Sequence, residues 1–171
     1  EAGYFNAANE NVGVGRNAMQ LNTTGTANTA VGTQSLSNNL TSKNNTALGY
    51  KALLTTTGAD NTASGAYSGY SLTTGGVNTL IGGYAGYSLT TGGANTIIGH
   101  GAADSMTDGL SNVVIGRLAY QAGSNDNNTV VGTQAGYGAN STGAVLVGFK
   151  AGYNNTASSS VFIGVEAGLN H

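Results

Sequence analysis

The sequence predicts an all-β fold, a parallel β-roll or β-solenoid of about ten coils. Three observations predict it. A short motif closing in Gly returns ten times at a spacing of 16 or 17 residues, and turn-forming residues fill the intervals between copies. The third is composition: 29 of 171 residues are Gly, none is Pro or Cys, and 39% are nonetheless hydrophobic and regularly placed.

The copies begin with NVGVG (Asn11 to Gly15), NTAVG (Asn28 to Gly32), NTALG (Asn45 to Gly49) and NTASG (Asn61 to Gly65). They continue with NTLIG (Asn78 to Gly82), NTIIG (Asn95 to Gly99), NVVIG (Asn112 to Gly116) and NTVVG (Asn128 to Gly132). AVLVG (Ala144 to Gly148) and SVFIG (Ser160 to Gly164) keep the apolar part and lose the Asn. A small residue stands three places after every closing glycine, from Ala18 and Ser35 to Ala151 and Ala167. Residues 1–171 therefore read as a single repeat domain. AGY at Ala2 to Tyr4 looks like the tail of a further copy, so the pattern starts and stops mid-repeat and the chain is expected to belong to something longer.

A unit of this length is too short for a pair of helices, and Gly, Asn and Thr are poor helix formers. Two strands of four or five residues and two tight turns account for it. Each unit then adds about 4.8 Å along the axis, giving a rod on the order of 45–50 Å long.

Successive side chains of a strand point to opposite faces. The residue before the glycine is apolar in nine copies (Val14, Val31, Leu48, Ile81, Ile98, Ile115, Val131, Val147 and Ile163) and Ser64 in the tenth. It is expected to face the coil interior. The residue two before, expected to face outward, runs Ala30, Ala47, Ala63, Leu80, Ile97, Val114, Val130, Leu146 and Phe162, increasingly apolar along the chain. A strand apolar on both sides needs a cover on each. Further copies of the chain supply the second one, which predicts a homo-oligomer wound about a common axis.

The Asn that opens eight copies and the Thr that follows it at Thr29, Thr46, Thr62, Thr79, Thr96 and Thr129 are expected to stack as side-chain ladders. Asn28, Asn45, Asn78, Asn95 and Asn128, with Gly32, Gly49, Gly82, Gly99 and Gly132, define the repeat. Tyr70, Tyr87, Tyr137 and Tyr153 fall five after a closing glycine, and Tyr4 takes the matching place in the AGY of the partial copy at the start. This column reads as stiffening by stacked rings, and alternatively as a row of glycan-contacting platforms, since Tyr offers a flat face and a hydroxyl.

The pattern N-T-A-V-G-x-x-A-G with TTG turns resembles repeats of bacteriophage tail fibres and the head of YadA-type trimeric autotransporter adhesins. That resemblance implies a left-handed β-roll in an intertwined homotrimer, with the apolar strand facing the trimer axis. It also implies an extracellular setting, on a virion tail fibre or a bacterial surface, with a cell-surface glycan or receptor as partner. Adhesin-head repeats are usually shorter than the repeat here.

Chemistry is sparsely provided. Net charge is −2, leaving no electrostatic footprint for nucleic acid, and no apolar run is long enough to insert in a membrane. His100, Asp104 and Ser105 supply the letters of a catalytic triad with nothing in the sequence to orient them, and His171 is terminal. Asp60, Asp108 and Asp126 fall in turns, where Asp bonds its own backbone. No enzyme activity, cofactor or metal site is expected. Lys51, Asp104, Met106 and Asp108 break the repeat and mark the places to look for a receptor site. The predicted role is a structural fibre segment giving reach, rigidity and receptor attachment. The competing role is a monomeric ice- or surface-binding solenoid using Thr and Asn ladders.

Overall fold

A computed structural model of the chain describes residues 10–169. Tyr4, Ala2 and His171 lie outside the described residues. Ten three-residue strands follow one another: β1 Val12–Val14, β2 Thr29–Val31, β3 Thr46–Leu48, β4 Thr62–Ser64, β5 Thr79–Ile81, β6 Thr96–Ile98, β7 Val113–Ile115, β8 Thr129–Val131, β9 Val145–Val147 and β10 Val161–Ile163. They form one parallel sheet in strict sequence order. Register is set by the repeat itself, with Leu80 opposite Ile97 and Ile81 opposite Ile98. The chain is an all-β parallel solenoid, and no helix occurs among the described residues.

Each coil carries one strand, not the expected two. Past the closing glycine the backbone takes a left-handed φ at the second and fourth residues, as at Gln34 (60°) and Leu36 (47°), and again five before the next glycine, as at Asn44 (60°). A strand needs extended dihedrals throughout, so this wall is no second sheet. Its amides still pair between coils. Gln34 N–H donates to the Arg16 carbonyl of the coil before (2.9 Å), while Leu36 N–H donates to Ala52 of the coil after (3.1 Å). Such inter-coil bonds offset the cost of left-handed backbone, about 1 kcal/mol or more per non-Gly residue.

The closing glycine is the obligatory residue of the coil. At Gly82 φ is +125°, and a Cβ would stand 2.6 Å from the Gly99 carbonyl oxygen of the next coil. Gly82 N–H donates to the Ser64 carbonyl (2.7 Å), closing the ladder between strands.

The faces of the strand are the reverse of those expected. The residue two before the glycine points into the coil: Ala30, Ala47, Ala63, Leu80, Ile97, Val114, Val130 and Leu146 are fully buried, and Phe162 packs against them. The residue before the glycine points out, with Val31, Leu48 and Ile81 exposed and Ile98 half-buried. The closing glycine, at positive φ, turns the chain directly after the strand, and the strand's middle residue, not its last, is the one that lies over the core.

This also explains why the middle residue grows along the chain. In early coils it is Ala30 or Ala47, and the residue four after the glycine is Leu36 or Leu53. In later coils it is Leu80 or Leu146, and the fourth residue is Gly86 or Gly152. A Cβ on Gly152 would approach Leu146 Cδ1 at 3.0 Å. Where Leu80 or Leu146 fills this part of the interior, the glycine at the fourth position leaves room for it, as close packing requires.

Candidate functional site

Three surfaces emerge: the interior Asn column, the outer face of the sheet, and a tyrosine-bearing wall. The Asn column is a structural device. Asn28, Asn45, Asn61, Asn78, Asn95, Asn112 and Asn128 are buried. The Asn78 side-chain oxygen accepts the Asn95 backbone N–H (3.0 Å) and the Asn95 Nδ2 (3.1 Å), and Asn95 Nδ2 also donates to the Gly109 carbonyl (2.7 Å). The pattern repeats upward to Ala144 N–H, which donates to Asn128 Oδ1 (2.9 Å). Buried amides need such partners. The column therefore ties coil to coil and presents nothing to solvent.

The hydroxyl ladder runs through a different Thr set from the one beside the Asn. Thr57, Thr73 and Thr90 donate to the carbonyls of Thr73, Thr90 and Thr107 respectively. Thr29, Thr46, Thr62, Thr79, Thr96 and Thr129 instead stand on the outer sheet face. Beside them runs the column Val14, Val31, Leu48, Ser64, Ile81, Ile98, Ile115, Val131, Val147 and Ile163, apolar except at Ser64, with Val31, Leu48, Ile81 and Ile115 between 36% and 40% exposed, Ile98, Val131 and Val147 half-buried, and Val14 and Ile163 more open at the two ends. An apolar stripe of that continuity is unusual on a free surface. Among the residues expected at an interface or in the core, Leu80, Ile97, Val114, Val130, Leu146 and Phe162 belong to the interior, and Val31, Ile81, Ile98 and Ile115 to this outer stripe.

On the third wall, the rings of Tyr70 and Tyr87 stack at 5.1 Å and 7°, and those of Tyr137 and Tyr153 at 5.2 Å and 6°. The faces within each pair are thereby covered by the partner ring. Tyr67 and Tyr84 stack beside the first pair at 5.1 Å, and Tyr50 meets Tyr67 edge to face. Lys51 Nζ lies 5.3 Å from the Tyr50 ring centroid, and the neighbouring Tyr50 side chain holds the ammonium above the ordinary lysine range. Tyr50, Tyr67 and Tyr84 escape a reading by fixed offset, because they stand one or two places after the glycine. Scanning coil by coil finds them.

The positions that break the repeat separate. Met106 is fully buried in the core and cannot meet a receptor. Asp104 is half-buried, with Oδ1 accepting from Ser105 Oγ (3.0 Å) and Oδ2 from Gln121 Nε2 (3.3 Å). The His100 ring lies 5.9 Å from that of Tyr84. Asp126 Oδ1 accepts the Leu110 N–H of the preceding coil (2.8 Å), not its own backbone, and Asp60 takes Asn44 Nδ2 (2.8 Å). Among the described residues, no three His, Cys, Asp or Glu side chains come together as metal ligands.

Tyr120 is the largest fully buried side chain among the described residues. Its hydroxyl donates to the Ser141 carbonyl (2.8 Å) and accepts from Asn128 Nδ2 (2.8 Å), and burial pushes its pKa up to about 12. It is a core group.

No protein-family model, curated protein or solved structure matches the chain.

Proposed function

We propose that this chain is a structural fibre segment that assembles as a homotrimer about the outer sheet face. The observation that carries the proposal is the outer stripe from Val14 to Ile163, apolar in every described coil except at Ser64 and left exposed or half-buried by the chain itself. Burying such a stripe contributes about 25 cal/mol per Å² of apolar surface removed from water. Copies of the same chain meet it with an identical repeat spacing, so that contacts recur coil by coil. The interface residues are Val31, Ile81, Ile98 and Ile115, with the Thr column at the rim.

In this reading the protein performs no catalysis and holds no cofactor. It gives length and stiffness to an extracellular tail fibre or surface adhesin with a left-handed roll, and it offers glycan attachment on the tyrosine wall. Three chains and many coils multiply weak receptor contacts. Nucleic acid and membrane insertion have no place in it.

Solution mass by light scattering across a range of concentrations tests the assembly. Three chains at all concentrations is the expected result, and Ile98→Asp should return it to one chain with its coil intact. A wild-type chain that stays monomeric removes the trimer. That outcome favours a second reading, an ice- or surface-binding solenoid, for which the specific observation is the regular Thr column on the same exposed face. The Asn ladder has no part in it, because those side chains are buried.

A further inference from the structure

The wall bearing the two tyrosine pairs holds a notch between them. The residues five after successive closing glycines are Tyr70, Tyr87, Asp104, Gln121, Tyr137 and Tyr153. Backbone bonds place them in adjacent coils of one column: Ser71 N–H donates to the Tyr87 carbonyl, Ser88 to Asp104, Ser105 to Gln121 and Ala122 to Tyr137. Tyr87 has ring contacts with Tyr67, Tyr70 and Tyr84, all in its own coil or the coil before. The ring contact of Tyr137 is with Tyr153, in the coil after. The remaining faces of Tyr87 and Tyr137 therefore look toward each other across three coil steps, about 14 Å at the spacing of parallel strands. In this column, the shorter side chains of Asp104 and Gln121 stand between them, hydrogen-bonded to each other and half-buried.

We propose that this notch binds a short neutral oligosaccharide. A pyranose ring presents a flat array of C–H groups to an aromatic face and hydroxyls at its rim. Tyr87 and Tyr137 supply two such faces with a polar tip. Asp104 accepts only, while Gln121 both accepts and donates, which suits a pair of neighbouring hydroxyls. The Asp104 carboxylate disfavours sugars carrying an acid at the same place. A few polar groups fixing orientation between apolar walls is the usual make-up of a small-ligand site. The stacked outer rings, Tyr70 and Tyr153, hold Tyr87 and Tyr137 upright and do not touch the sugar.

The proposal gives a receptor chemistry to the fibre reading, and the two fail separately: mass reports the trimer, and sugar binding reports the notch. The probes are maltotriose, cellotriose, mannotriose, β-galactotriose and triacetylchitotriose, each at millimolar concentration with the full chain. Saturation-transfer NMR from tyrosine ring protons should reach the C–H protons of at least one of them. Tyr87→Ala and Asp104→Ala should each weaken that binding at least about tenfold, which corresponds to about 1.4 kcal/mol. Asp104→Asn, which keeps the shape, should extend binding to acidic sugars. Tyr153→Ala, in the outer ring, should change affinity for the bound triose less than Tyr137→Ala does. Circular dichroism and mass identify any variant that fails to fold. No transfer to any triose, or binding that folded Tyr87→Ala and Asp104→Ala both leave unchanged, overturns the proposal.

Discussion

Gly123 lies against the ring of Tyr120: a Cβ at position 123 would clash with its Cζ, Cε1 and Cε2 atoms. In neighbouring coils the equivalents of Gly123 are Leu72, Leu89 and Met106, all buried, paired with Gly69, Gly86 and Ala103 in place of Tyr120. Of these two positions, one carries the large group in each of these coils and the other is small. Gly123 has no left-handed φ, so Gly123→Ala tests packing alone. It should destabilise by about 1–3 kcal/mol through overpacking. The double variant Tyr120→Ala with Gly123→Met restores the arrangement of Ala103 and Met106. Denaturant unfolding of both singles and the double should give a coupling on the order of 1–2 kcal/mol in its favour. Additive losses would refute the shared-volume account.

Tyr120 also gives the fold a pH dependence. Its pKa is about 12 when folded and about 10 unfolded. A raised folded value means that the neutral phenol is the form the fold favours. Its contribution is therefore complete below about pH 10 and is lost as pH climbs through about 12, by roughly 3 kcal/mol at most. Unfolding measured from pH 8 to 12 should show that loss in the wild type and a smaller loss in Tyr120→Phe. Parallel curves for the two proteins would contradict it.

Ile97 and Ile98 are neighbours with opposite fates. Ile97 is fully buried within the coil, and Ile98 lies on the outer face. Ile97→Ala should cost about 2–5 kcal/mol of folding stability, and Ile97→Asp should unfold the coil. Ile98→Ala should leave a single chain's stability almost unchanged and weaken only the assembly. Melting of chains diluted to monomer distinguishes the two, and equal losses would sink the assignment of faces.

The closing glycines separate two penalties. Gly82→Ala meets both a left-handed φ and the Gly99 carbonyl. Gly164→Ala meets the same φ, while its Cβ has only Ala167 Cβ nearby, at 3.8 Å. The φ strain alone is worth about 1–3 kcal/mol. Gly82→Ala should therefore cost distinctly more than Gly164→Ala in thermal unfolding, and equal costs would rule out the close carbonyl approach as a constraint.

Removing one rung of the amide column should be felt by its neighbours. Asn95→Ala leaves the Asn112 N–H and the Gly109 carbonyl without their side-chain partner. A buried unsatisfied group costs about 1–3 kcal/mol. Hydrogen exchange should quicken at Asn112 first. Protection there equal to wild type would argue that the rung is dispensable.

The repeat by itself determined the parallel solenoid, the length of the coil and the stacking of the Asn column, because a motif returning every 16–17 residues leaves a strand only its own copies to pair with. It did not determine which side of the strand is inside. Val31 and Ala30, or Ile98 and Ile97, are equally apolar in pattern, and alternation alone cannot choose between two apolar faces. The choice is made by the backbone after the glycine. Left-handed residues such as Gln34 and Leu36 turn the chain so that Leu36 joins Ala30 in the core, and that same turn replaces the expected second strand. Likewise the tyrosines were visible as a column, but which of their faces are covered depends on neighbours from other offsets. Only the folded coil brings Tyr67 and Tyr84 beside Tyr70 and Tyr87, and leaves Asp104 and Gln121 between two ring faces.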